Sequence, residues 1–414
     1  MAQSVDQYKL KIDVEPKTER GSLTIVAELP TTGRHAWPVA DVEVRDVRGQ
    51  ALAVRRNGIE WHKLLITAPP VRGTYFVQAV NLPQAQPSLP TEVERRLADQ
   101  TTGLSLGIAR WHDGRQATLS IRFDDSHPSH LTKAIPILRE YGFRGTFMIN
   151  PGKSEPNSRR RSDFDDHRAE WEAVARRGDH EFANHSAHHR GATGDADMDA
   201  EIGEAARAIW QLAPGKSKLA ALNLGGGTTW ETTRPLRYYL DKYRLFDASG
   251  NSLGMDDSYG DRPAAFRKML EQHIERGLWC RIHYHYIGEG LSASEANFRA
   301  ALDIARGHQA SLWIAGMAEI HKYQIERDAA ALTIVRSDAR RLTFRLSCLT
   351  DPELYDQPLT IEATTPKSWL PHRIAVKDAH GKAISVRTAR ANGQTLLRFE
   401  VAPRAAAYII ELNP

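Results

Sequence analysis

Two adjacent carboxylates close an apolar run in Ile121-Arg-Phe-Asp-Asp-Ser-His-Pro-Ser-His130. A strand that runs straight into a turn is where α/β sheets place their sites. Successive strand residues point to opposite faces. At a strand end, however, the chain turns, and Asp124 and Asp125 can both reach one cavity. A cation could take one of them and leave the other as a base. The alternative is that the pair caps a helix beginning near Ser129, as Asp often does.

The segment Gly178-Asp-His-Glu-Phe-Ala-Asn-His-Ser-Ala-His-His189 packs four histidines into ten positions. His185 and His189 are four apart, so on a helical turn they lie about 40° apart and can hold one ion through neutral imidazoles. His188 is a rival ligand. His180 and His185 are five apart, about 140° on a helix, which excludes the zinc-protease arrangement. A third segment, Trp279-Cys-Arg-Ile-His-Tyr-His-Tyr-Ile-Gly288, ends in His283 and His285 on one strand face. Each is either a general acid tuned by a neighbouring charge or a hydrogen-bonded core histidine. A fourth, Asn223-Leu-Gly-Gly-Gly-Thr-Thr-Trp230, puts a glycine turn ahead of a helix expected from Thr228 or Thr229. Its free N–H groups would suit an oxyanion or an acidic sugar substituent, or else it is a plain tight turn. Gly226, Gly227, Thr228, Trp230 and His283 are the candidate substrate contacts.

These segments need a scaffold, and the apolar pattern supplies one. From about residue 101 to 328, strands such as Ala117-Thr-Leu-Ser-Ile-Arg-Phe and Gly145-Thr-Phe-Met-Ile alternate with amphipathic helices, among them 130–141, 198–212, 263–276, 293–306 and 317–327. Repeated βα units imply a mostly parallel sheet with its chemistry at the carboxyl ends of the strands. Residues 1–100 read as short alternating strands of a β-sandwich followed by a polar, proline-bearing connection. Residues 329–414 read as a second all-β domain. Trp61 and Trp369 are expected in the cores of these flanking domains rather than as sugar platforms.

The order Phe-Asp-Asp, then Gly-Asp-His-Glu-x-x-x-His-Ser-x-x-His, then a strand ending in His resembles the polysaccharide deacetylase superfamily with its NodB homology domain, over roughly residues 115–328. The resemblance implies a distorted (β/α) barrel and one divalent metal held by Asp125, His185 and His189. It makes Asp124 the general base and His285, in His285-Tyr-Ile-Gly, the general acid. Zinc is the expected ion, and cobalt, nickel, iron or manganese suit the same ligands. The implied activity is removal of acetyl groups, foremost N-deacetylation of an N-acetylhexosamine in an oligo- or polysaccharide. The alternatives are an O-acetyl esterase and a carbohydrate-binding pseudoenzyme. The sequence departs from the family in two places. The arginine that braces the base is missing from 223–230, where Arg122 or Arg281 could substitute, and Ser126 replaces the usual glycine after Asp-Asp.

The remaining features narrow the class. The chain's 414 residues carry 55 Lys and Arg against 51 Asp and Glu, a net +4 spread without basic blocks, which argues against a nucleic-acid partner. No apolar run approaches the roughly 18–20 residues of a membrane span. Met1-Ala-Gln-Ser-Val-Asp has neither a basic run nor an apolar core, so no signal peptide is expected there. A saccharide target nevertheless argues for a periplasmic or secreted place. Two cysteines, Cys280 and Cys348, support neither a disulfide framework nor a thiolate metal cluster.

Overall fold

The structure, a computed structural model, describes residues 8–17, 21–30, 37, 41–57, 60–80, 89–152, 163–214, 217–225, 228–391 and 394–413. At its centre lies a parallel sheet of eight strands: β1 (Ala117–Phe123), β2 (Gly145–Ile149), β3 (Glu181–Asn184), β4 (Ala220–Leu222), β5 (Leu245–Asp247), β6 (Leu253–Gly254), β7 (Trp279–Tyr284) and β8 (Leu312–Ile314). Their order is β5-β4-β3-β2-β1-β7-β6. On one edge β1 is shared, its first half pairing with β8 through Leu312↔Ala117 and its second half with β2 through Gly145↔Ile121. Among the described residues β5 and β6 do not pair, so the sheet curls into a partial barrel and stays open. The expected α/β class with flanking all-β parts is what the chain adopts.

The inner strands β1, β2 and β4 are buried on both faces, as strands under a helical layer are. On β1, Ala117, Leu119, Ile121 and Phe123 pack into the core beneath the helices. The alternate residues Thr118, Ser120 and Arg122 are buried polar groups on the inner face. The same alternation on β7 sends Cys280, Ile282 and Tyr284 into the helical core, leaving Trp279, Arg281 and His283 opposite. Local chemistry sets the helix ends. For Arg262–Arg276, the Asp261 side chain accepts the Ala264 N–H, Pro263 stands in the first turn, and left-handed Gly277 ends the helix. Phe266 and Leu270, four apart, bury its inner face.

Two antiparallel modules flank the sheet. Lys9–Val14, Gly73–Val80 and Asp41–Asp46 form one three-stranded sheet, and Leu23–Glu28, Glu60–Ala68 and Ala53–Asn57 another, around a shared core that includes Trp37, Leu64, Ile66 and Val77. The Trp61 side chain lies outside the described residues, and Trp369 is buried in the second module. That second module holds four strands in one sheet and five in the other. Here the structure departs from the expected boundary at residue 101. Arg96–Asp99 and Leu104–Ile108 pair with each other, and Leu104–Ile108 also pairs with Leu359–Thr364, so both strands belong to the C-terminal module. Leu104-Ser-Leu106 alternates buried and exposed, the signature of an antiparallel strand with one wet face, unlike the fully buried β1. No helix among the described residues is long and apolar enough to cross a membrane. Both cysteines are free.

Candidate active site

Most candidate chemical groups stand just beyond the carboxyl end of a central strand, Asp124 and Asp125 after β1, Asn150 after β2, His185 after β3, Asn223 after β4, Asp256 after β6 and His285 after β7, while His283 lies within β7. Asp124 and Asp125 do not cap a helix. The turn at His130–Ala134 begins from Ser129 without a side-chain cap, and Asp125 and Ser126 instead take left-handed backbone conformations, φ 77° and 52°. Non-glycine residues reach that region at an energetic cost and concentrate at sites. The cost is supported locally, because Ser126 Oγ accepts the Asn150 N–H at 2.8 Å.

Asp124 is almost fully buried, and its Oδ2 accepts a hydrogen bond from Arg122 Nη2 at 2.8 Å, with both side chains under 10% exposed. Arg122 therefore stands where a bracing arginine is needed, two residues back along the same strand face. Arg281 instead lies over the Trp279 ring at 3.8 Å. Burial opposes the charge on Asp124, but Arg122, His185 and His283 outweigh it and hold its pKa below the usual carboxylate range. Its other oxygen, Oδ1, is buried without a protein partner. The group is thus an ionised carboxylate with one oxygen held and one unengaged.

Asp125, His185 and His189 offer ligand atoms that all lie within 4.8 Å of one another, with His185 Nε2 3.5 Å from Asp125 Oδ1. His185 Nδ1 donates to the Asn223 carbonyl at 2.8 Å, which leaves Nε2, on the Asp125 side, as the atom available to a cation. One carboxylate and two imidazoles converging at this spacing fit a divalent cation, and they leave coordination positions for substrate and water. The histidines reach this spacing from a loop rather than the expected helical turn. The Ser186 N–H bonds the Asn184 side chain at 2.9 Å, and Ser186 and His189 are left-handed, φ 63° and 54°, which a helix cannot contain. His188 turns away to Glu201 at 2.8 Å. His180 accepts the Gly145 N–H, and burial pushes its pKa down to about 4.

At the end of the neighbouring strand β7, His285 Nδ1 donates to Asp256 Oδ2 at 2.6 Å, and that hydrogen bond is the main reason its pKa is raised above the ordinary histidine value. The His285 N–H also bonds Asp256 Oδ1 at 3.2 Å, and its carbonyl accepts from His130 Nε2. His283 differs. Its Nδ1 bonds Ser252 Oγ at 3.0 Å, and burial with nearby Arg122 pulls its pKa down to about 4, so it is neutral at pH 7. Tyr286 packs its ring 4.2 Å from that of His127 and points its hydroxyl at Asp125 Oδ2, 3.4 Å away.

The glycine-turn segment meets the site differently from expectation. Gly226 and Gly227 lie outside the described residues. The following helix begins at Leu236, after Pro235, so no helix N-terminus faces a substrate from Thr228 or Thr229. Thr228 Oγ1 is buried without a partner. Trp230 is 4% exposed within the barrel core, leaving no ring face for a sugar. Gly225, at φ +76°, lies so close to His189 that a Cβ would fall 2.2 Å from its Nε2. Asn150, Asn223, Asp256 and Tyr286 escaped sequence reading as site residues, and Ser126 was noted only as a departure from the family pattern. Only the position of Asn150 and Asn223 just past an apolar run could have flagged any of them.

Residues 112–237 match the family model described as polysaccharide deacetylase. Among curated proteins, a gellan lyase of a Bacillus species is 22% identical over 298 residues, 63% of this chain. The match spans only 12% of that protein's length. A family 4 carbohydrate esterase from Streptomyces lividans, solved in complex with acetate, aligns at TM-score 0.34 and 21% identity over 49% of this chain and 94% of its own. A family 4 acetyl xylan esterase from Clostridium thermocellum, in complex with a cobalt ion, aligns at TM-score 0.32 and 16% identity over 48% of this chain and 87% of its own.

Proposed function

With residues 112–237 lying in a polysaccharide deacetylase domain of the NodB-like superfamily, we propose that this chain hydrolyses acetyl groups on a carbohydrate, N-deacetylating an N-acetylhexosamine within an oligo- or polysaccharide. The observation that carries the reading is the grouping on one barrel rim of a base, a three-donor cation site and an acid. Asp125, His185 and His189 would hold one divalent ion, zinc before cobalt, nickel, iron or manganese. When bound, such an ion polarises the acetyl carbonyl and acidifies water.

The chain's own residues handle the protons. Asp124 Oδ1 takes a proton from the attacking water while Arg122 anchors Oδ2, so the base neither rotates away nor loses its charge. The water oxygen bonds to the acetyl carbon. As the C–N bond breaks, His285 passes its proton to the leaving nitrogen, and acetate is released. Asp256 keeps that imidazole protonated and oriented, which favours His285 over the neutral His283 as the acid. The left-handed turns at Asp125 and His189 bring the ligands inward at the cost of local strain. A polysaccharide substrate supports a periplasmic or secreted enzyme.

The test is acetate release across a panel of N-acetylhexosamine oligomers, peptidoglycan fragments and O-acetylated xylans, with the wild type beside Asp124→Asn. Loss of a positioned base should lower the rate by about 10²–10⁴-fold. Release from the N-acetyl substrates, lowered to that extent in the variant, is the expected result. Release from the O-acetyl substrates alone reassigns the enzyme as an esterase. Equal rates for wild type and variant on every substrate refute the hydrolase reading.

A further inference from the structure

We infer that Glu201, on the helix Asp195–Leu212, is the positioning residue that sets the His185–His189 spacing, an inference that rests on the proposed cation site. Glu201 is completely buried, yet it engages neither the cation donors nor the proton-handling groups. Its carboxylate is spent on the loop between the two histidines. Oε2 accepts the His188 N–H at 2.9 Å, and Oε1 accepts His188 Nδ1–H at 2.8 Å. Arg190 Nε lies 3.0 Å from Oε1, and the Glu201 carbonyl accepts the Ala187 N–H at 2.7 Å. Residues 187, 188 and 190 are therefore all tied to one side chain and its own peptide, with His185 just before the tied stretch and His189 inside it.

The loop needs such a tie because it contains two left-handed residues, Ser186 and His189, whose φ values relax unless the surroundings over-determine them. Other contacts on the same helix serve the same end: Asn184 Nδ2 donates to the Ile202 carbonyl at 2.9 Å, and the Asn184 side chain also holds Ser186. His188 is wedged from the other side, since a Cβ at Gly152 would fall 2.4 Å from its ring. A buried carboxylate facing a histidine and an arginine is costly to desolvate and is tolerated only with its partners in place. His188, the rival ligand in the sequence, is thus the handle by which the loop is held.

The experiment titrates metal-free protein with Zn²⁺ and Co²⁺, by calorimetry and by the cobalt d–d absorption, for wild type, Glu201→Gln, Glu201→Ala and Leu270→Ala. Leu270 is a buried core residue of another helix and serves as a stability control. The wild type should bind one ion. Glu201→Gln keeps the size but cannot accept from all three donors, so its affinity should fall about tenfold or more with an altered cobalt spectrum, as outer-sphere losses do. Leu270→Ala should lower the melting temperature and leave affinity and spectrum unchanged. If Glu201→Ala fails to fold, Glu201→Gln carries the test alone. A wild type that binds no ion removes the cation-site reading itself. A wild type that binds one ion, with Glu201→Gln equal to it in affinity and spectrum, overturns the role of Glu201 only.

Discussion

At the scale of single residues the site is a set of charges whose neighbours decide what they do. Asp256 raises the His285 pKa, and an acid works only while protonated, so activity should fall on the alkaline side as pH passes through that raised value. Replacing Asp256 by Asn removes the cause. The alkaline limb of kcat/KM against pH should move to lower pH, with a smaller maximum, and an unmoved limb would show that another group sets it. Arg122 carries a second prediction. Arg122→Ala leaves Asp124 buried without its counter-charge, a change that costs about 3–5 kcal/mol when one partner of a buried pair is removed, and thermal unfolding should register it. Arg122→Lys should recover part of the stability but less of the rate, because an ammonium cannot reproduce the planar guanidinium contact. Asp124, Asp125, His185 and His189 were legible in the sequence because dense, chemically unusual residue types end apolar runs. Asp256 was not, because it lies in Gly254-Met-Asp-Asp and meets its histidine from 29 residues away, across a strand pairing that no local pattern encodes.

Elements position these residues, and one glycine shows how narrowly. Gly225 combines a left-handed φ of +76° with a Cβ position already filled by the His189 ring. Gly225→Ala must strain the backbone by about 1–2 kcal/mol and push a cation donor aside. We expect cobalt affinity to fall at least tenfold while the far-ultraviolet spectrum stays that of the wild type; unchanged affinity would mean that the ring can move without loss. The helix Met317–Asp328 makes a different kind of prediction. It presents Glu326, wholly buried, to the C-terminal module, with Oε1 accepting the Gln357 N–H at 3.1 Å and Oε2 unpartnered. Burial pushes its pKa up to about 8 from an ordinary 4.5, so the folded state keeps a proton that the unfolded chain gives up first. Its contribution to stability is complete below about pH 4.5, declines by at most roughly 1.4 kcal/mol per pH unit up to about 8, and is level above that. Glu326→Gln should flatten that decline in denaturant titrations across the pH range, and an identical slope would locate the dependence elsewhere. Helical period and capping made elements such as Glu295–Gly307 readable to within two residues at each end. The histidine loop was misread as helical because its geometry comes from side chains, Asn184 and Glu201, rather than from backbone propensity. The two-residue β6 is too short to leave any pattern.

At the scale of the whole molecule, the three regions visible in the composition are not three beads on a string. The C-terminal module is assembled from both ends of the barrel segment. Leu104 and Leu106, which precede β1, share a core with Leu359, Ile361, Leu397 and Phe399, which follow the last helix. That core also takes Trp111, Ala315, Ile320 and Tyr323 from the barrel itself. The Tyr323 hydroxyl, buried between the two, donates to the Ala109 carbonyl at 2.9 Å. The N-terminal module contrasts with it: among the described residues, the buried members of its core come from residues 29–79, with partly buried residues from 8–54 packed against them. An exposed ion pair, Arg55–Glu231 at 3.3 Å, joins it to the barrel, and such pairs are worth about 0–1 kcal/mol. The two flanks should therefore respond oppositely to truncation. A chain beginning at residue 89 keeps the whole second core and should melt within a few degrees of the full chain, with its cobalt affinity intact. A chain ending at residue 328 loses the partners of Leu104, Leu106, Ile320 and Tyr323 together. Losing several fully buried apolar contacts at about 1.5–3 kcal/mol each exceeds the margin by which most domains are stable, so this chain should aggregate or lack a cooperative transition in calorimetry. A stable, metal-binding fragment ending at 328 would mean that the barrel core is self-sufficient and that the strands borrowed from 96–108 serve only the C-terminal module.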